Sequence, residues 1–241
     1  MALAAGAIGL TLFRGWGEAG AERRPILLLT LDTLRADAAG RGKGTPAIER
    51  FLTNEATHFA RARTVVPLTL PSHLSLLSGL YPARHGVHEN VAPTIPPPAE
   101  REYRLLAEEF SEANYATGAF IARGVLAPET GIGAGFESYD SPQEQGIGEG
   151  DGEYRAAEEQ VRLALAWLAR QSPDRPWFLW VHLFDPHKPY HPYPGDAERA
   201  ATGPGAGNRA LYEGEVRRID AAVERSSPPR AKEAIIISRF G

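Results

Sequence analysis

The run Ile26-Leu27-Leu28-Leu29-Thr30-Leu31 is apolar at five of its six positions and ends in a carboxylate, Asp32. A strand with one solvated face alternates polar and apolar residues. A strand covered on both faces and paired on both edges needs apolar side chains throughout. The run therefore predicts an interior strand of a parallel sheet, with Asp32 at its C-terminal end. Parallel neighbours cannot be joined by a tight turn and need a crossover, usually a helix, so this one segment already constrains the rest of the chain.

The remaining pattern agrees with that demand. Thr45-Pro46 opens a helix running to about residue 54, with proline at its first position. Residues 57–66 alternate enough to be read as a strand. Pro71 and Ser72 begin a helix that stops at Gly79, a glycine placed where a C-cap needs positive φ. Further helices are expected over 103–113, 153–170 and 208–224, and strands over 116–121, 177–184 and 234–237. Residues 141–152 and 189–208, rich in glycine or proline, read as surface loops. Strands alternating with helices predict an α/β fold with a mostly parallel sheet and helices on both faces.

Composition narrows the function classes. The 26 basic and 30 acidic residues are spread without long like-charge blocks, so there is no basic footprint for nucleic acid. The absence of cysteine removes disulfides, thiolate metal sites and thiol nucleophiles. Residues 2–13 are mostly apolar but fall short of the roughly 20 positions that span a bilayer. They suit the core of an export signal or a short membrane anchor, followed by a linker to residue 24. The expected location is accordingly exported, periplasmic or extracellular, or membrane-anchored, with a cytoplasmic protein as the other reading.

In open α/β sheets the ligand site lies beyond the carboxyl ends of the strands. Asp32 follows the first predicted strand, Thr69 the second, and Asp185 with His187 the strand ending near Phe184. A carboxylate, a hydroxyl and an imidazole converging there would suit an oxygen-liganded divalent ion and an activated nucleophile. A hydroxyl at a helix N-terminus also sits where backbone N–H groups and the helix dipole favour an anion. Each residue has a plainer role open to it. Asp32 serves equally as a turn or helix cap, Thr69 as an N-cap, and His187 as a turn residue between Pro186 and Pro189. His85 and His88 fit a structural turn better than a site wall.

Taken in order, these segments resemble the sulfatase family. Leu29-Thr30-Leu31-Asp32-Thr33-Leu34-Arg35-Ala36-Asp37 is similar to its first strand and metal-binding aspartate, and Thr45-Pro46-Ala47-Ile48 to the helix that follows. The stretch from Pro67 through Leu68-Thr69-Leu70-Pro71-Ser72-His73 to Gly79-Leu80-Tyr81-Pro82 resembles the signature around the nucleophile. Phe184-Asp185-Pro186-His187-Lys188-Pro189-Tyr190 resembles a later histidine motif. The resemblance covers residues 25–241. It implies an alkaline-phosphatase-like three-layer αβα sandwich, a bound divalent cation, calcium in typical members, and hydrolysis of sulfuric esters of small molecules or glycans through a covalent intermediate. On this basis Asp32 is a metal ligand, and Thr69 is a second ligand at the nucleophile position. His73 and His187 are then candidates for oxyanion contact or proton transfer.

Two departures from the family pattern are legible. The position that family members oxidise to formylglycine is Thr69, and the arginine four residues later is His73, so no formylglycine is expected. Related phosphoryl-transfer enzymes use an unmodified threonine directly, which makes a phosphoric or phosphonic ester the alternative substrate. The family also follows its later strand with Ser-Asp-His-Gly, whose side chains help bind the metal, where this chain has Ser238-Arg239-Phe240-Gly241. The expectation is a C-terminally incomplete catalytic domain, with an inactive fragment as a third reading.

Overall fold

The computed structural model describes residues 23–40, 42–50, 59, 61–91, 95–142, 154–191, 206–226 and 233–238. The expected signal or anchor segment, the far end of the helix expected to residue 54, and Arg239 lie outside them, as does most of both predicted loops. Among the described residues no helix is long and apolar enough to cross a membrane.

Five parallel strands form one sheet in the order β3-β2-β4-β1-β5. They are β1 (Ile26–Leu31), β2 (Ala116–Ile121), β3 (Ser138–Asp140), β4 (Trp177–Leu183) and β5 (Glu233–Ser238). The apolar run pairs on both edges, with Leu29 opposite Val181 of β4 and Ile236 of β5, and every residue of β1 is buried. The largely apolar segment is thus explained by its central place.

The helices are α1 (Pro46–Arg50), α2 (Thr69–Ser78), α3 (Pro82–His85), α4 (Leu106–Glu112), α5 (Ala157–Leu168) and α6 (Ala206–Ser226). Period-two geometry divides β1 between two cores. Leu27, Leu29 and Leu31 pack with Val161, Ala164 and Trp167 of α5 and Val216, Ile219 and Val223 of α6. Ile26 and Leu28 face the other side, with Leu70, Leu74 and Leu77 of α2 and Ala107 and Phe110 of α4. This is the expected αβα sandwich. Each fully buried leucine contributes about 1.5–3 kcal/mol, so the two cores are the main stabilising term. Gly118 on β2 admits the Trp167 indole, because a Cβ there would come within 2.8 Å of that ring.

Two local expectations change. Residues 61–66 form a turn and irregular chain, not part of a strand. Among the described residues no strand pairs with this stretch, and Val65 is 46% exposed; residues 57, 58 and 60 of the expected strand lie outside them. Thr69 therefore reaches the sheet edge on a helix that follows a loop. That helix begins at Thr69, two residues before Pro71, because proline within the first turn gives up an N–H that would have no intrahelical partner. The helix expected over 103–113 is shorter, and the three-residue β3 went unpredicted.

A contact distant in sequence completes the frame. The carboxylate of Asp220 on α6 accepts hydrogen bonds from Ala47 N (3.1 Å) and Ile48 N (2.8 Å). It does for α1 what a local N-cap side chain would do.

Candidate functional site at the sheet edge

Asp32 is the residue at which β1 leaves the sheet. Its N–H donates to Leu183 O at 2.9 Å, prolonging the ladder with β4, and its side chain is 1% exposed. The next residue, Thr33, takes positive φ (50°), turning the chain away from the strand. Burial pushes the Asp32 carboxyl up. The hydrogen bond from His182 and the imidazoles around the site outweigh that, so its pKa lies below the usual value and Asp32 is a carboxylate at neutral pH.

Thr69 lies opposite. The residue before it, Leu68, is extended (φ −134°, ψ 139°) and gives no side-chain cap to α2. Instead Asn90 Oδ1 accepts the Leu70 N–H at 2.9 Å, and the helix closes at Gly79, whose N–H reaches Ser75 O. With the terminus capped from elsewhere, the Thr69 hydroxyl turns inward and donates to Asp32 Oδ2 at 3.2 Å. It is not the N-cap that its position in the sequence also allowed.

His182, on β4, was not singled out by the sequence. Its Nε2 is 3.3 Å from the same Asp32 Oδ2, its ring is fully buried, and it is in register with Thr30. The signal was available: an imidazole within the otherwise apolar run Trp177-Phe178-Leu179-Trp180-Val181-His182-Leu183 needs a buried partner. His73 packs behind it, with ring centroids 5.0 Å apart at 84°. Burial, reinforced by His182 beside it, lowers the His73 pKa to about 3, so the ring is neutral. Its Nδ1–H donates to the Thr69 carbonyl at 2.7 Å, inside the first turn of α2.

His187 is hydrogen-bonded within its own loop, though its imidazole is near enough to the cluster to help hold the Asp32 carboxyl down. It is partly exposed, donates from Nδ1 to Lys188 O at 2.6 Å, and stacks on Phe184 with centroids 4.2 Å apart. The loop that carries it is held from below. Asp185 is fully buried, with Oδ1 3.5 Å from Nε of Arg218 on α6, while Arg218 Nε also donates to Glu158 of α5 at 2.5 Å. Burial pushes the Asp185 carboxyl up to about 7, Arg218 acting against that. The far end of the loop is tied by His191 N donating to Glu215 of α6 at 2.8 Å. Asp185 thus belongs to the support of the loop. His85 is structural, accepting from Val87 N at Nδ1 and bonding Ser75 Oγ through Nε2.

The parallel sheet layered between helices on both faces is an alkaline-phosphatase-like fold. Solved structures share it. One is Ps i-CgsB in complex with a neocarrahexaose, with a TM-score of 0.67 and 20% identity over 85% of this chain and 54% of that one. Another is the periplasmic domain of EcEptC from Escherichia coli in complex with zinc, with a TM-score of 0.62 and 15% identity over 87% and 60%. The sulfatase family profile matches residues 24–226, and the chain belongs to the sulfatase family.

Among curated relatives, human ectonucleotide pyrophosphatase/phosphodiesterase family member 1 is 28% identical over 182 residues, or 73% of this chain. The Drosophila melanogaster extracellular sulfatase SULF-1 homolog is 34% identical over 101 residues, or 41% of it. The chain spans 19% and 9% of the length of these two proteins.

Proposed function

We propose that Thr69 is the nucleophile of an ester hydrolase acting on phosphoric or phosphonic esters. The observation that carries this reading is the buried hydrogen bond from Thr69 Oγ1 to ionised Asp32. An unmodified hydroxyl so oriented has its lone pairs available for attack. In the first step a bond forms from Thr69 Oγ to phosphorus as its proton passes to Asp32 Oδ2 and the ester P–O bond breaks, and the leaving alkoxide takes up a proton from another donor. His187, on the exposed loop, is the candidate donor. Water then hydrolyses the threonyl ester. The N-terminal end of the ten-residue α2 favours the anionic phosphoryl oxygens. His73, buried with Nδ1 on the Thr69 carbonyl, fixes that first turn in this reading and does not touch the bound anion.

The test is to incubate the protein with an aryl phosphate, quench in acid and map adducts by mass spectrometry. Phosphate on Thr69 is the expected result; turnover with no adduct, or an adduct elsewhere, would overturn it.

The family resemblance and the match to an extracellular sulfatase favour a second reading, hydrolysis of sulfuric esters of small molecules or glycans. With threonine at position 69, that chemistry would proceed without formylglycine. The apolar residues 2–13 and the match to an extracellular sulfatase favour an exported or membrane-anchored protein over a cytoplasmic one, with the catalytic domain over residues 25–241.

Family members generally use a divalent cation, calcium by the resemblance, and Asp32 and Thr69 are the residues that would face it. Among the described residues no group of three or more His, Asp or Glu side chains converges to hold a metal. One carboxylate and one hydroxyl do not complete such a site, and no step above is routed through it.

A further inference from the structure

We propose that His182 is a positioning residue that fixes the Asp32 carboxylate and, through it, the direction of the Thr69 hydroxyl. The proposal rests on the reading of Thr69 as nucleophile. Two donors, Thr69 Oγ1 at 3.2 Å and His182 Nε2 at 3.3 Å, converge on one carboxylate oxygen, Asp32 Oδ2. A carboxylate held by a single bond can rotate about its terminal torsion, which is broad and soft. A second donor from a strand removes that freedom, because β4 is locked to β1 on one side and β2 on the other.

The presence of an imidazole at this position needs a reason. All the other β4 side chains are apolar and buried, and a leucine or valine at 182 would meet the packing requirement without desolvating a polar ring. Thr30, its register partner, accepts from Trp180 Nε1 at 3.1 Å. His182 Nδ1 has no hydrogen-bond partner among the described residues, so the ring's polar contact is the one with Asp32. Since a carboxylate can only accept, Nε2 is the nitrogen that donates in this contact.

The surroundings close a circuit around Thr69. His73 holds the Thr69 carbonyl at 2.7 Å and packs edge-on against His182 at 5.0 Å, while His182 holds the carboxylate that holds the Thr69 hydroxyl. The backbone and the side chain of Thr69 are therefore tied to two rings in contact with each other. His182 touches no reacting atom; its effect passes through Asp32.

The first test needs no turnover. In the isotope-labelled full chain, with ring signals assigned by His182→Gln, His182 is expected to be the Nε2–H tautomer, with an exchange-protected Nε2 proton that shifts strongly on Asp32→Asn. The Nδ1–H tautomer, or a signal indifferent to Asp32→Asn, would overturn the proposal. The second test uses an aryl phosphate. His182→Leu should lower kcat about 10- to 100-fold with KM little changed, as loss of a supporting hydrogen bond does. His182→Gln, which keeps a donor, should recover most of the rate even where both variants lose similar thermal stability. Equal losses in the two variants would reduce His182 to a packing residue. If the unsubstituted protein shows no turnover, the nucleophile reading fails while the tautomer measurement still decides the Asp32 contact.

Discussion

Asp32 and Thr69 are 37 residues apart in the chain, yet the Thr69 hydroxyl donates to Asp32 Oδ2 across 3.2 Å of buried space. One residue ends a strand and the other begins a helix, and the bond forms because both ends lie at the same edge of the sheet. If this pair carries the chemistry, Thr69→Ala should abolish phosphate-ester hydrolysis, a loss of about a thousandfold or more, as removal of a nucleophile causes. Thr69→Ser keeps the hydroxyl and should stay within about tenfold of the parent. Initial rates on an aryl phosphate check both; equal activity of the alanine variant would remove Thr69 from the mechanism.

Asp185 should make the fold sensitive to pH. Its folded pKa, pushed up to about 7 by burial, lies above the unfolded value of about 3.9. The native state thus binds this proton more tightly than the unfolded chain. Its contribution to stability is full below pH 4, declines as pH rises to about 7, and is constant beyond. For a fully buried carboxyl the change is on the order of a few kcal/mol. Thermal unfolding at pH 5 and pH 8 should show a fall that Asp185→Asn removes.

Asp220 gives a prediction about the frame. Its two oxygens cap α1 from α6, and Asp220→Ala should lower unfolding stability by about 1–2 kcal/mol, the usual cost of losing a cap. The measurement is denaturant unfolding. A loss below a few tenths would mean that water replaces the carboxylate without penalty.

Metal affinity tests how far Asp32 and Thr69 go towards a cation site. Calcium takes about six to eight oxygen ligands, and weak sites bind at about 10⁻⁴–10⁻³ M. Calorimetry on the full chain should show binding no tighter than this, abolished by Asp32→Ala. Micromolar binding would show that side chains outside the described residues complete the site.

How much of this was legible beforehand differs from residue to residue. The place of Asp32 could be read because a continuous apolar run followed by a carboxylate has few solutions in a soluble fold. Thr69 was found through the motif around it, but its route was misread, since local alternation over 57–66 carries no information about whether a partner strand is nearby. His182 was overlooked because a single polar residue in an apolar run looks like an imperfection until its neighbour across β1 is known. Asn90 and Asp220 gave no local sign of their capping roles, because the N–H groups they bind belong to segments 20 and more than 170 residues away.

The sequence determined the family through its ordered motifs, and by its periodicities the interior strand and the parallel αβα layering. Those follow from which residues can be buried, a property each segment carries locally. Only the tertiary structure decided which polar groups meet: the Thr69 and His182 donors on one oxygen of Asp32, and Arg218 beneath Asp185. Such contacts depend on the order β3-β2-β4-β1-β5, which brings β4 beside β1 although some 145 residues intervene, and strand order is a property of the whole packed sheet.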